Sequence, residues 1–500
     1  MPSTPEGYLG ADGPVPSGPA PELVEAGYAR ELADAPLLHR GLGLADLAHI
    51  VALAEIGAVP AAEAARLAAA LLELLDVPPD RFPYDPRYGD AYNSRERELE
   101  RRLGATAGWL PTGRTRREAG RIAFRLALRA LLLDLHAAVA DLAAALATRE
   151  QEEADTVFAD TTYLQPAQPS SFGHYLGSFA EESARHLERV QAAWRWADRS
   201  PAGVGGVAGP RVPLDRARLA ELLGFGEVGA HTRDAMWAVD GLIDAVAAAT
   251  QATLTTDRLA EDLEIFTSPG FGYVALDPAF CRASVLMPQK RNPYALAVLR
   301  GGASTLVGRT AGMLTAARTP SARTDNWLYA YGEVAGALEL GRRLVALGAG
   351  VVRTLVIHRE ALAGAAAAGF TGAADLAEQL VLAGGPDYRT AYRVVARAVT
   401  TAAEAGSTSL APDDLARAAR ELGVGHLRVD PAVLAALDPR AILATRTVPG
   451  GASPKRVRQH AARVRAIVAE ARRWERDRRL AAERAEARLL AAARGLAGAS

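Results

Sequence analysis

Between Arg116 and Glu152 the chain runs for 37 residues without a proline. Leu128, Leu132, Leu135, Val139, Leu142 and Leu146 recur there at alternating spacings of four and three. That repeat places one apolar stripe along one face of an α-helix. At 1.5 Å per residue the helix is roughly 50 Å long, well beyond the ~30 Å width of a small domain. A rod of that length commits the chain to an elongated bundle, because only other long helices can cover it. The stripe is too long and too apolar to stay unpaired, which predicts that copies of the chain associate along it. Further helical periodicity covers about 174–198, 233–266, 293–318 and 331–356. Period-two patterns are short and scattered, so the fold class is all-α with a central bundle of long helices.

Breaks in the pattern set the expected domains. Residues 1–22 hold six prolines and four glycines with no apolar run, and read as a disordered head. An N-terminal helical domain follows over 23–113, closed by "GWLPTGR". The central bundle takes 114–370, with "SPAGVGGVAGPRVP" (200–213) as a connection inside it. Shorter amphipathic segments over 371–470 form a small C-terminal domain. Residues 471–500 alternate basic, acidic and apolar side chains and read as a charged, solvated helix.

Composition then removes whole classes of function. The formal charge is −1 over 500 residues, without the basic excess that nucleic acid requires. No stretch approaches the ~18 uninterrupted apolar residues of a membrane helix. Cys281 is the only cysteine, so no intrachain disulfide forms, and a reducing cytoplasmic setting is expected.

Three stretches concentrate reactive groups. "RASVLMPQKRNPYAL" (282–296) holds Ser284, Met287, Lys290 and Asn292 just before a helix that starts near Pro293. No Gly-x-Ser-x-Gly elbow surrounds the serine, which argues against acyl transfer. Proton abstraction from a carbon acid is the alternative. It needs a base, plus cationic and amide groups that hold a carboxylate-stabilised carbanion. Lys290 and Asn292 at a helix start suit the second task. A serine becomes a base only where nearby donors stabilise its alkoxide and water is excluded. "DTTYLQPAQP" (160–169) gathers Thr161, Thr162, Tyr163 and Gln165, which can hold carboxylates or merely cap and turn the chain. "LPTGRTRREAGR" (110–121) sets Arg114, Thr115, Arg116 and Arg117 at a helix start, where arginines oppose the dipole unless an anion binds.

These stretches resemble the fumarase/aspartase superfamily. "SVLMPQKRNP" is similar to its signature loop, and the other two look like its remaining substrate segments, in order. "GDAYNSRERELERRLG", "PSARTDNWLYAYGEV", "TGAADLAEQLVLAGGPDYRTAYRVV" and "DPRAILATRTVPGGASPKRVR" further resemble argininosuccinate lyase, and the likeness covers roughly 35–470. It implies a three-domain all-α fold and a homotetramer with a twenty-helix core. It also implies active sites shared between three subunits, a dicarboxylate substrate and no cofactor or metal. By the same resemblance Ser284 removes the Cβ proton, Lys290 and Asn292 hold the charged carboxylate, and Thr162 binds a substrate carboxylate. Arg114, Thr115 and Arg116 match a Gly-Arg-Ser-Arg stretch.

The departures fall on the leaving-group side. Tyr163 replaces a histidine, Arg117 an asparagine, and Arg323 and Tyr331 a tyrosine and a lysine. Gly89 and Tyr92 replace a glutamate and a histidine beside a retained Asp90, and Val285 a second serine. The expectation is a reversible β-elimination that releases fumarate from an N-substituted aspartate other than argininosuccinate. Two added arginines against one lost lysine favour a neutral or acidic leaving group. Argininosuccinate itself, a nitrosuccinate-type elimination, a cycloisomerase or a non-catalytic crystallin-like role are the competing readings.

Overall fold

The computed structural model describes residues 18–318, 321–322, 330–425, 433–434 and 437–498. It is helical, with short strands only. Three helices, α1 (Ala35–Glu55), α2 (Ala61–Leu75) and α3 (Ala91–Leu103), form the N-terminal unit. The long helix α4 spans Arg116–Glu152, capped by Thr115, whose Oγ accepts from the Glu118 N–H. Strands β1 (Val157–Thr162) and β2 (Gln165–Ser171) pair as a hairpin that leads into α5 (Phe172–Ala197). A short α6 (Arg216–Leu222) precedes α7 (Thr232–Trp237) and α8 (Asp240–Phe266). The expected continuous helix over 233–266 is thus broken at Ala238, whose backbone is extended. The break leaves the Met236 carbonyl free of the helix ladder, and the buried Arg121 guanidinium donates to it.

Strands β3 (Arg282–Ala283) and β4 (Arg291–Asn292) close a loop before α9 (Tyr294–Ala316), and α10 (Ala330–Thr354) completes the bundle. The stripe from Leu128 to Leu146 is buried at every position. Its partners are α5, α10 and the C-terminal helix of the same chain, so the expectation that copies pair along it is corrected. The face left uncovered lies on α9. Ala297, Gly301, Ser304, Thr305, Gly308, Ala311, Gly312 and Thr315 are exposed there without a charge among them.

After α11 (Arg359–Ala367), helices α12 (Ala373–Leu382), α13 (Tyr388–Glu404) and α14 (Pro412–Glu421) enclose their own small core. A short α15 (Pro439–Thr445) then leads to α16, which runs unbroken over Pro454–Ala497. The boundary expected at 470/471 therefore falls in mid-helix, and the tail is not a free solvated helix. Its charges pair across to α4 and to Asp155 just beyond it, in antiparallel order. Arg458 meets Asp155, His460 meets Glu150 at 2.7 Å, Arg472 meets Asp141 at 2.6 Å and Arg479 meets Asp134 at 2.8 Å. Leu489 and Ala493, near the far end of α16, complete the core of the N-terminal unit. Two helices, Ala35–Glu55 and Arg116–Glu152, have the length and hydropathy of a membrane span, but their apolar windows are 83% and 67% buried inside the fold.

The His460 clamp is sensitive to pH. The Glu150 carboxylate, with Glu181 on the other ring nitrogen at 3.1 Å, raises the imidazole above its ordinary range. Burial also raises Glu150. A raised histidine adds stability that is full below its unfolded pKa and lost as pH climbs through the folded one. The His460→Gln variant should therefore melt below the wild type by roughly 1–3 °C at pH 6, with the gap closing by pH 9. Thermal melts of the assembled protein check this, and a gap that fails to narrow would refute a charged clamp.

Candidate active site

The serine segment hangs between the end of α8 and the start of α9. Its stem is closed by β3 and β4, and the Asn292 side-chain amide donates to the Arg282 carbonyl at 3.0 Å. Arg291 is turned inward, donating to the Leu276 carbonyl and to the Cys281 sulfur. Cys281 is thereby a packing residue of the stem. At the tip, two backbone N–H groups point at one atom. Leu286 and Met287 donate to Ser284 Oγ at 3.3 and 3.0 Å. Such donors favour the alkoxide over the alcohol, because a hydrogen bond to the charged form lowers its cost. Donors of this kind are what a serine acting as a base would need, and the sequence did not reveal them. Val285, Leu286 and Met287 are exposed, an apolar cap with nothing yet beneath it. Lys290 is also exposed, and its side chain makes no ion pair among the described residues.

The hairpin carries the second group. Its two-residue turn is Tyr163–Leu164, with both residues at positive φ, 55° and 61°. A turn of this type matches the twist of the strands but normally takes Asn or Gly. Each non-glycine residue so placed costs about 1–3 kcal/mol. Tyr163 is 98% exposed, held out from the body of the chain. Thr161, Thr162 and Gln165 flank it, beside a register shift at Asp160/Thr161. The bases of the hairpin and of the serine segment share one aromatic cluster. Phe158 packs against Phe266 at 6.0 Å and against Tyr273 at 6.4 Å, ring to ring. Both groups therefore sit at the same end of the bundle, yet no hydrogen bond joins their tips among the described residues.

The third group lies at the other end. Arg116 and Arg117 open α4, and their pocket of about 30 Å³ is lined also by Glu31, Asp34, Asp90, Tyr92 and Tyr331. Arg117 pairs with Glu31 at 2.9 Å, with Asp90 at 3.8 Å, and Arg116 reaches Asp90 at 3.3 Å. Burial lifts the Asp34 carboxyl to about 6, although the Gly332 N–H donates to it. Tyr331 is buried against Phe124 and accepts from Arg121. Residue 89 stands at φ 108°, with a neighbouring Asn93 side chain where a Cβ would go, which accounts for glycine there.

One residue of this stretch is corrected. Arg114 does not line a cleft: it is buried, donating to Asp46 at 2.6 Å and to the Ala45 carbonyl at 2.9 Å. Thr115 serves as the helix cap. Thr115 is nonetheless exposed, and both residues stand directly before Arg116 and Arg117 at the start of α4. Glu31 and Asp34 were not legible as pocket residues, since nothing local in their stretch marks partners as distant as Arg117 and Gly332. Arg323 lies outside the described residues.

Comparison with known proteins now decides the kinship. A family described as Lyase matches residues 17–308, and one described as Argininosuccinate lyase C-terminal matches 370–444. The argininosuccinate lyase of Methanoculleus marisnigri is 33% identical over 446 residues, 87% of this chain and 88% of that one. The chain belongs to the fumarase/aspartase lyases, close to argininosuccinate lyase. This lyase is a carbon–nitrogen lyase that releases fumarate. Its fold is also similar to that of EDDS lyase crystallised with formate, at a TM-score of 0.85, 25% identity and 96% coverage of both chains. A variant of that enzyme with bound fumarate superposes at 0.84 with 26% identity.

Replacing Ser284 with alanine removes the only oxygen that the two N–H groups serve. Turnover by Ser284→Ala should fall by several orders of magnitude, with the oligomer intact by gel filtration. Retention of more than about a tenth of kcat, a loss under ~1.4 kcal/mol, would remove Ser284 from the role of base.

Proposed function

We propose that this lyase cleaves N-substituted aspartates whose departing amine itself carries a carboxylate, and that argininosuccinate is a poor substrate. The observation that carries the reading is the Arg117–Glu31 pair in the pocket at the start of α4. The sequence count suggested a bare extra cation there. Instead Arg116 and Arg117 stand among Glu31, Asp34 and Asp90. Such a mixed lining suits a leaving group with both signs of charge. Arginine forks take its carboxylate, and the acids take its ammonium. The similarity to EDDS lyase over 96% of the chain supports the same class.

The chemistry follows from the three groups. The Ser284 alkoxide, held by the Leu286 and Met287 N–H groups, takes the Cβ proton of the aspartate moiety. Lys290 and the second amide hydrogen of Asn292 hold the carboxylate that gathers the negative charge. Met287 and its neighbours exclude water. Thr161, Thr162 and Gln165 hold the other carboxylate. The C–N bond then breaks with its electron pair on nitrogen. Tyr163 donates a hydrogen bond or proton from its phenol to the departing amine.

The working unit in this reading is a homotetramer whose sites combine three subunits. Two observations support it. Arg116 and Ser284 sit at opposite ends of a helix roughly 54 Å long, so one chain cannot bring them to one substrate. The uncharged face of α9 needs cover. The single cysteine fits a cytoplasmic enzyme.

The other reading is an ordinary argininosuccinate lyase, favoured by the 33% identity. An assay separates them. Ethylenediamine-N,N′-disuccinate and argininosuccinate are supplied in parallel and fumarate is followed by its ultraviolet absorbance. The aminocarboxylate should be preferred at least ~100-fold in kcat/KM, about 2.7 kcal/mol of transition-state binding. Cleavage of argininosuccinate at about 10⁴ M⁻¹s⁻¹ or more would contradict the proposal.

A further inference from the structure

Along the outer side of α4, between α1, α6 and α16, runs a groove of about 360 Å³. It lies at residues 123–133 of α4, away from the serine segment and the hairpin. Leu44, Ala127, Leu133, Leu222 and Leu489 make it apolar. Its size falls in the range of small-molecule sites, roughly 300–1,000 Å³.

The charges around it are not equivalent. Arg40 is paired with Glu486, Arg129 with Asp198, and Arg479 with Asp134 and Glu475. Glu483 stands exposed on the rim. Arg478 differs from all of these. Its Nε is buried without a hydrogen-bond partner, and no carboxylate pairs with it among the described residues. The guanidinium lies 5.7 Å from the Trp194 ring centroid. A buried N–H left unmet is costly, and an anion in the groove would recover that cost.

We propose that this groove binds an amphipathic carboxylic acid, with an alkyl or aryl body along the leucines and the carboxylate on Arg478. The walls fix the apolar body, because they offer it few polar partners. Arg478 fixes the sign of the head. Since α16 straps the N-terminal unit to the bundle, the bound acid bridges α1, α4 and α16 and stabilises the strap. It adds to stability by mass action without entering the reaction.

The test uses the full-length assembled enzyme and monomeric decanoate, with decanol as the uncharged probe of equal length. Isothermal titration should show saturable decanoate binding, and melts should show a rise in Tm. Ala130→Trp places a ring in the groove from an exposed lining position. It should weaken both probes at least ~10-fold, with gel filtration and melts confirming the fold. Arg478→Gln should weaken decanoate about 10-fold and leave decanol unchanged. Absence of saturable binding to the wild type, or binding indifferent to Ala130→Trp, would overturn the site. Equal effects of Arg478→Gln on decanoate and decanol would overturn the ligand class.

Discussion

The length of α4 governs the rest of the molecule. Thirty-seven residues of helix hold Arg116 and the hairpin apart by roughly 54 Å. The rod cannot bend to close that distance, because α5 and α10 fill its apolar face and α16 pairs along its charged side. Thr115 caps its start, while Arg114 locks that end to Asp46. The three candidate groups are therefore displayed at one end or the other. In the proposed reading, another copy of the chain completes the reacting centre.

The division of labour between the ends is chemical. At the serine end two backbone N–H groups donate to Ser284 Oγ beside an exposed apolar tip, the arrangement that the proposed base calls for. Neither feature depends on a net charge, so both persist when the leaving group changes. In the proposed reading the arginine end decides which amine departs. There Arg117, Glu31, Asp34 and Asp90 form a mixed lining, and burial has already moved Asp34 to about 6. A site that keeps its proton-abstraction half and rebuilds its leaving-group half alters its substrate without altering its reaction.

Much of this was legible in the sequence, for identifiable reasons. The extent of α4 followed from the proline-free run of Arg116–Glu152 and the 3.5-residue apolar repeat of Leu128–Leu146 within it. Ser284, Lys290 and Asn292 stood out because polar groups cluster at a helix start. What escaped was long-range or conformational. The charges of α16 read as solvated because their partners on α4 and just beyond it lie more than 300 residues away. The hairpin turn escaped because Tyr163 and Leu164 are not residues that seek positive φ. Arg114 and Arg117 look alike in sequence, and only tertiary structure makes one a buried brace and the other a pocket wall. The α4 stripe was rightly judged in need of cover, but the cover comes from its own chain.

The claim that each site is built from opposite ends of different chains can be tested by hybrid tetramers. The Arg116→Ala/Arg117→Ala double variant and the Ser284→Ala variant are each prepared, assayed, mixed and allowed to exchange subunits. Each alone should be inactive. In a random mixture, about a quarter of the sites draw both groups from unaltered segments, so activity should return toward that fraction of wild type. Wild-type turnover by the arginine double variant, or no recovery in hybrids whose mixed composition is verified by mass, would contradict the account.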